Sequence, residues 1–269
     1  MFASLAPARR RLVLAVLGAF TVTVLAAVAF IVVRRTSSND PARPVSQATV
    51  GPVLLVPGYG GGTSGLNHLA AALRAAGREV SVVTLAGEGT GDLTTQARVL
   101  AAAVTVARVR TGASSVDVVG YSAGGVVARL WVRDFGGAVQ ARRVVTLGAP
   151  HHGTDVAALA AGLGGGCPPA CEQLVPDSDL LRRLNQGDET PGGPAFVSIW
   201  SAQDEVVVPA DSARLDGALD IVVQQVCADA QVGHGQLPTS RLVQRMVLME
   251  LSGPAPAALS RADCTRLSS

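Results

Sequence analysis

Val116-Asp117-Val118-Val119-Gly120-Tyr121-Ser122-Ala123-Gly124-Gly125 decides the fold. The stretch opens in a β-branched run, SVDVV from Ser115 to Val119, which has strand composition. It leads into Gly124–Phe135, which reads as a helix. Between them lies G-x-S-x-G, from Gly120 to Gly124. In a strand-to-helix setting this pattern makes a sharp turn, with the serine on a strained backbone and its hydroxyl aimed into a cleft. Gly120 and Gly124 remove the Cβ atoms that would collide across that turn. The pattern alone is common; its placement between a strand and a helix makes it informative.

The same alternation extends to both sides. Pro52–Val56, Glu79–Leu85, Arg143–Leu147, Phe196–Trp200 and Ile221–Val226 read as further strands. Leu66–Ala76, Leu93–Arg110 and Ser240–Leu251 read as further helices, the first two ended by Gly77 and Gly112. Short apolar strands separated by helices predict an α/β fold: a minimal, mostly parallel sheet of about six strands with helices on both faces. Sites in such a sheet form at the carboxyl ends of the strands. Residues 153–193 break the alternation and read as a short cap-like insertion. The domain is expected over residues 51–252, with a tail at 253–269.

A serine hydroxyl is a weak nucleophile and needs a base, which needs an orienting acid. The chain has four His. In this kind of fold the order is serine, acid, histidine. His68 precedes the serine, and His151 and His152 come before any plausible acid. His234, in a Gly-flanked loop after the last strand, is the expected base. Asp204 follows the strand FVSIW and is the expected acid, with Glu205, Asp211 and Asp216 as rivals. An oxyanion hole needs two backbone N–H groups. Ala123, after the serine, is one; Tyr59, in the loop PGYGGG after the first strand, is the other. That loop is not a phosphate loop, because no G-K-[ST] follows it. No metal and no organic cofactor is expected.

All 22 basic residues are Arg, against 20 Asp plus Glu. Residues 1–50 hold six Arg and one Asp, so the remainder is mildly acidic, which argues against nucleic acid as a partner. Arg9–Arg11 precede an uncharged apolar run from Leu12 to Val33, long enough to span a bilayer. Residues 1–35 are therefore read as a signal-anchor, or a signal peptide cleaved near Ala29, and 36–50 as a linker. The expected location is extracytoplasmic, held to the membrane through residues 12–33 or secreted. Cys167, Cys171, Cys227 and Cys264 agree with export, since an even set allows disulfides. The local pair Cys167–Cys171 leaves Cys227–Cys264, which would tie the tail to the last strand.

The stretches VPGYGGG, VDVVGYSAGG, VVTLGAPHHGT, SIWSAQDEVVVP, ARLDGALDIVV and VGHGQLP together resemble the compact bacterial lipases of the lipase class 2 group, in the α/β-hydrolase superfamily. The resemblance covers about Pro52 to Met249. It implies a Ser122-Asp204-His234 triad, Tyr59 and Ala123 as oxyanion donors, and a lipid or other ester substrate; a monomer is expected. Pro57 stands where many lipases carry His, and the 153–193 segment is longer than in the smallest members. Two other readings stay open: a deacylase of a lipid-linked molecule or thioesterase, and a hydrolase-fold binding protein without activity.

Overall fold

The computed structural model describes residues 45–163 and 166–268. The expected signal-anchor at 1–35 and most of the expected linker lie outside those residues. Among the described residues no helix is long and apolar enough to cross a membrane.

Six strands form one sheet: β1 (Val53–Val56), β2 (Val80–Val82), β3 (Val116–Tyr121), β4 (Ala141–Leu147), β5 (Ala195–Trp200) and β6 (Leu219–Val222). Their order is β2-β1-β3-β4-β5-β6, and every pair is parallel. The crossovers are made by α1 (Ser64–Ala75), α2 (Leu93–Thr111) and α3 (Ala123–Asp134), and α8 (Arg241–Ser252) follows the last strand. Alternate strand residues feed two cores. Val53, Leu55, Val145 and Ile199 pack against Leu66, Leu69 and Leu73 of α1 and Val243 and Met246 of α8. Leu54, Val56, Val118 and Val144 pack against Leu100 and Val104 of α2 and Val127 and Trp131 of α3. Helices therefore cover both faces, as an all-parallel sheet requires.

Two strands are shorter than the sequence suggests. The expected strand Glu79–Leu85 pairs only over Val80–Val82, because its one neighbour, β1, ends at Val56 and Pro57. The expected strand Ile221–Val226 lies instead at Leu219–Val222, and Val223–Val226 is a helical turn, α7. Its only neighbour, β5, ends at Trp200, so nothing remains to pair with Val223. Cys227 lies just beyond this turn and is bonded to Cys264 at the start of α9 (Cys264–Ser268); the bond joins the tail to the loop after β6, not to the strand.

The 153–193 segment contains three short helices, α4 (Asp155–Gly162), α5 (Pro169–Gln173) and α6 (Asp179–Leu184). It is built into the fold. Ala157, Leu174, Leu180, Leu181 and Leu184 join the α2/α3 core. Buried Arg129 of α3 donates to Asn185 Oδ1 (2.8 Å) and to the carbonyls of Leu184 (3.2 Å) and Glu189. Burial pulls that guanidinium down to about 10. Cys171 of α5 is bonded to Cys167, which closes a local loop.

The amino ends of the strands carry a charged network. The β3–β4 register shifts between Val116 and Asp117, leaving Arg142 as the extra residue on β4. Its buried guanidinium grips Asp117 through Nε (2.8 Å) and Nη2 (2.6 Å), and also donates to Leu251 O. Arg78 binds the same carboxylate at 2.6 Å. One fully buried Asp thus joins β3, β4, the start of β2 and the end of α8. Removing it leaves Arg142 buried without a counter-charge. Asp117→Ala is expected to cost ~3–5 kcal/mol in urea unfolding. Glu79→Ala, which breaks the exposed pair with Arg110, should cost less than about 1 kcal/mol. Equal effects would remove the network's role as an anchor.

Candidate active site

The strand order turns back between β1 and β3, so the carboxyl ends of these two strands open a crevice. Ser122 sits there, between the end of β3 and the start of α3. Its φ of 54° and ψ of −129° are strained for a residue with a side chain. Its N–H is held by Leu147 O at 2.9 Å. A Cβ on Gly120 would meet Gly124 O at 2.5 Å, across the turn. A Cβ on Gly124 would meet Val56 O at 2.3 Å, at the end of β1, so this second glycine serves the packing of α3 against β1.

Ser122 Oγ lies 3.0 Å from His234 Nε2, and His234 Nδ1 lies 2.7 Å from Asp204 Oδ2. These three residues come from positions 112 and 30 residues apart in the chain. Asp204 Oδ1 accepts the N–H groups of Val206 (2.9 Å) and Val207 (2.8 Å), so both carboxylate oxygens are engaged. Asp204 and His234 are buried; Ser122 is partly open. Tyr59 lies in the same crevice, and its N–H makes no hydrogen bond among the described residues. Ala123 is the first residue of α3, where an N–H has no acceptor within the helix.

The rival acids lie elsewhere. Glu205 Oε2 accepts the backbone N–H of His234 at 3.0 Å, so it anchors the loop and does not touch the imidazole nitrogens. Asp211 lines a separate cleft with His152. Asp216 is exposed.

Several supporting residues carry no signal in the sequence pattern. Gly148, after β4, has φ +52°, and a Cβ there would stand 2.9 Å from Asp204 Oδ2 and 3.3 Å from His234 Nδ1. The ring of Tyr121 packs at 5.1 Å from that of His234, and its hydroxyl donates to His234 O at 3.3 Å. Burial, with the charges of Asp204 and Glu205, pushes the Tyr121 phenol up to about 12, so it remains a donor. The acid loop is laced to the histidine loop: Ser201 donates to Val232 O, and Gln203 accepts from Val232 N–H. Thr154 braces the other side, donating to Val206 O (2.6 Å) and accepting from Val208 N–H (3.0 Å). The only hint of these residues is their adjacency to β4, β5 or the turn.

Of the other histidines, His68 is exposed on α1. His152 pairs with Glu189 at 2.9 Å. His151 is fully buried, with Nε2 3.1 Å from Thr146 Oγ1. Thr146 donates onward to Ser198, and Ser198 to Ala213 O, so the imidazole is the donor to Thr146. Burial, and secondarily Arg129 and His152, hold His151 well below the usual histidine range. Among the described residues no three His, Cys, Asp or Glu side chains converge as a metal set. A cleft of about 390 Å³ between α3 and α6, lined by Leu130, Arg133 and Leu184, includes none of Ser122, His234 and Asp204.

Residues 90–243 match the sequence model of the family described as Lipase (class 2). The chain belongs to that family. The match starts after β1, so the Tyr59 loop lies outside it. No curated protein sequence matches this class 2 lipase chain. Solved structures with a similar fold include lipase B of Aspergillus fumigatus, with a TM-score of 0.70 at 19% identity, covering 84% of this chain and 58% of that one. The mature lipase BlEst2 of Bacillus licheniformis aligns with a TM-score of 0.61 at 20% identity, covering 80% and 94%. A Listeria innocua gene product, lin2722, aligns at 0.54 and 16%, covering 79% and 97%. The class 2 lipase chain thus spans little more than half the length of the fungal enzyme.

A histidine kept neutral by the fold is protonated more readily once unfolded. Below about pH 6.5 the unfolded state therefore binds more protons at His151, and stability falls as pH falls. Between pH 6 and 5 the loss approaches ~1 kcal/mol per pH unit from this residue. His151→Gln is expected to remove that part of the slope in unfolding titrations. An identical slope in both proteins would show that His151 is not the source.

Proposed function

We propose that the chain hydrolyses carboxylic esters as a lipase or carboxylesterase, with Ser122 as nucleophile, His234 as general base and acid, and Asp204 as the orienting carboxylate. The observation that carries this reading is the hydrogen-bonded line from Ser122 Oγ through both imidazole nitrogens to Asp204. His234 Nδ1–H donates to Asp204, which fixes the tautomer with a free lone pair on Nε2. That lone pair accepts the Ser122 proton as Oγ attacks the ester carbonyl. Asp204 then stabilises the imidazolium. The new oxyanion is bound by the Tyr59 and Ala123 N–H groups, assisted by the positive end of α3. His234 returns its proton to the leaving alcohol. The same histidine next deprotonates water, which attacks the acyl-enzyme and releases Ser122.

We further place the domain outside the cytoplasm. The support is two disulfides, which persist in oxidising compartments, and the basic residues ahead of the apolar run 12–33.

Ser122→Ala is expected to lower kcat on p-nitrophenyl esters by about a millionfold and to abolish labelling by a fluorophosphonate. Turnover that survives the substitution would remove Ser122 as nucleophile. Activity on acyl thioesters alone would move the reading to a thioesterase. Asp204→Asn should lower kcat about ten-thousandfold, while Asp211→Asn leaves it nearly unchanged. The reverse ranking would reassign the acid.

A further inference from the structure

Ser122 and Tyr59 open onto a cavity of about 200 Å³. The rest of its wall comes largely from outside the sheet. Ala157 and Ala160 of α4 and Cys171 and Leu174 at α5 face it, together with Val206 and Val207 of the acid loop. No charged side chain lines it. The one hydroxyl besides those of Ser122 and Tyr59, that of Thr154, is already committed to Val206 O and Val208 N–H. Such a wall rewards an apolar chain and leaves a polar one without partners. The wall is also pre-formed. Cys171 is covalently held, and Gln173 of α5 accepts the Leu93 N–H at 2.8 Å and donates to Asp92 at 2.5 Å, tying α5 to the start of α2.

We propose that this cavity receives the acyl chain of the substrate and that Ala157 and Leu174, on the segment that interrupts the sheet pattern, set the length of chain it takes. The inference rests on the ester-hydrolase reading above. Ala157 of α4 and Leu174, just after α5, are both buried wall residues, so a change of side-chain size at either changes the space directly. Ala160 is exposed and marks the side open to solvent. The segment that interrupts the sheet pattern is thereby the part that selects the substrate.

The test is kcat/KM of the full chain for p-nitrophenyl esters from acetate to dodecanoate, each kept below its aggregation limit. Each methylene that enters the cavity should raise kcat/KM about fourfold, and the rise should break off at one chain length. Ala157→Leu adds about three carbons to the wall, so the break should come about three carbons earlier, with acetate hydrolysis within about threefold of wild type. Leu174→Ala should move the break to longer chains, again with acetate hydrolysis kept. Acetate turnover reports folding in each variant, and if one variant loses it the other decides. An unmoved break with acetate turnover intact would overturn the proposal. So would loss of acetate turnover in both variants, which would make the two residues structural supports of Ser122. Absence of Ser122-dependent hydrolysis at every chain length would instead defeat the ester-hydrolase reading itself.

Discussion

The carboxyl end of the sheet depends on how closely α3 crosses β1 as it leaves β3. A single Cβ at position 124 would stand 2.3 Å from the Val56 carbonyl. The chain can make this crossing only with Ser122 in a conformation that costs on the order of 1–3 kcal/mol. The parallel sheet holds it there, since Ser122 N–H continues the β3–β4 ladder to Leu147 O. Because the crossing is so tight, the loop after β1, the serine and the start of α3 are gathered into one crevice. The β1–β3 register, with Val56 beside Gly120, carries the Tyr59 loop to the same place.

The sequence exposes the sheet well where strands are central and poorly where they are edges. β3 and β4 are bonded on both sides, so their apolar runs end where the ladder ends. β2 and β6 have one neighbour each, and their lengths are set by where β1 and β5 stop. A propensity reading of Glu79–Leu85 or Ile221–Val226 has no access to that limit. The site shows a similar division. Ser122, Asp204 and His234 follow from chain order because each ends a strand unit. Gly148, Tyr121 and Glu205 do not, because their roles are contacts with His234 from segments distant in sequence. The dipeptide Asp204-Glu205 is instructive: two adjacent carboxylates separate into one that meets the ring and one that meets the backbone.

Buried polar groups are treated consistently through the domain. Asp204 has each oxygen engaged, one by the imidazole and one by two amides. Asp117 is shared between two arginines. Among the described residues Arg129 faces no carboxylate at hydrogen-bond distance and is satisfied largely by carbonyls of the 184–189 stretch, which makes it a strap between α3 and the helical insertion. The insertion is therefore fixed against the same helix whose start carries Ser122. A segment that reads as an interruption of the pattern is structurally continuous with the crevice it borders.

The two ends of the strands serve separate purposes. Asp117 enters β3 near its first residue and Ser122 follows its last, about 17 Å further along the strand. Substitutions at one end share no partner with those at the other, so their effects should add. Such a layout lets durability and selectivity drift independently. A lineage could exchange its α4–α5 surface for new esters while the arginine cluster keeps the scaffold folded, and that cluster could be rebuilt for hotter or saltier surroundings without disturbing what the crevice accepts.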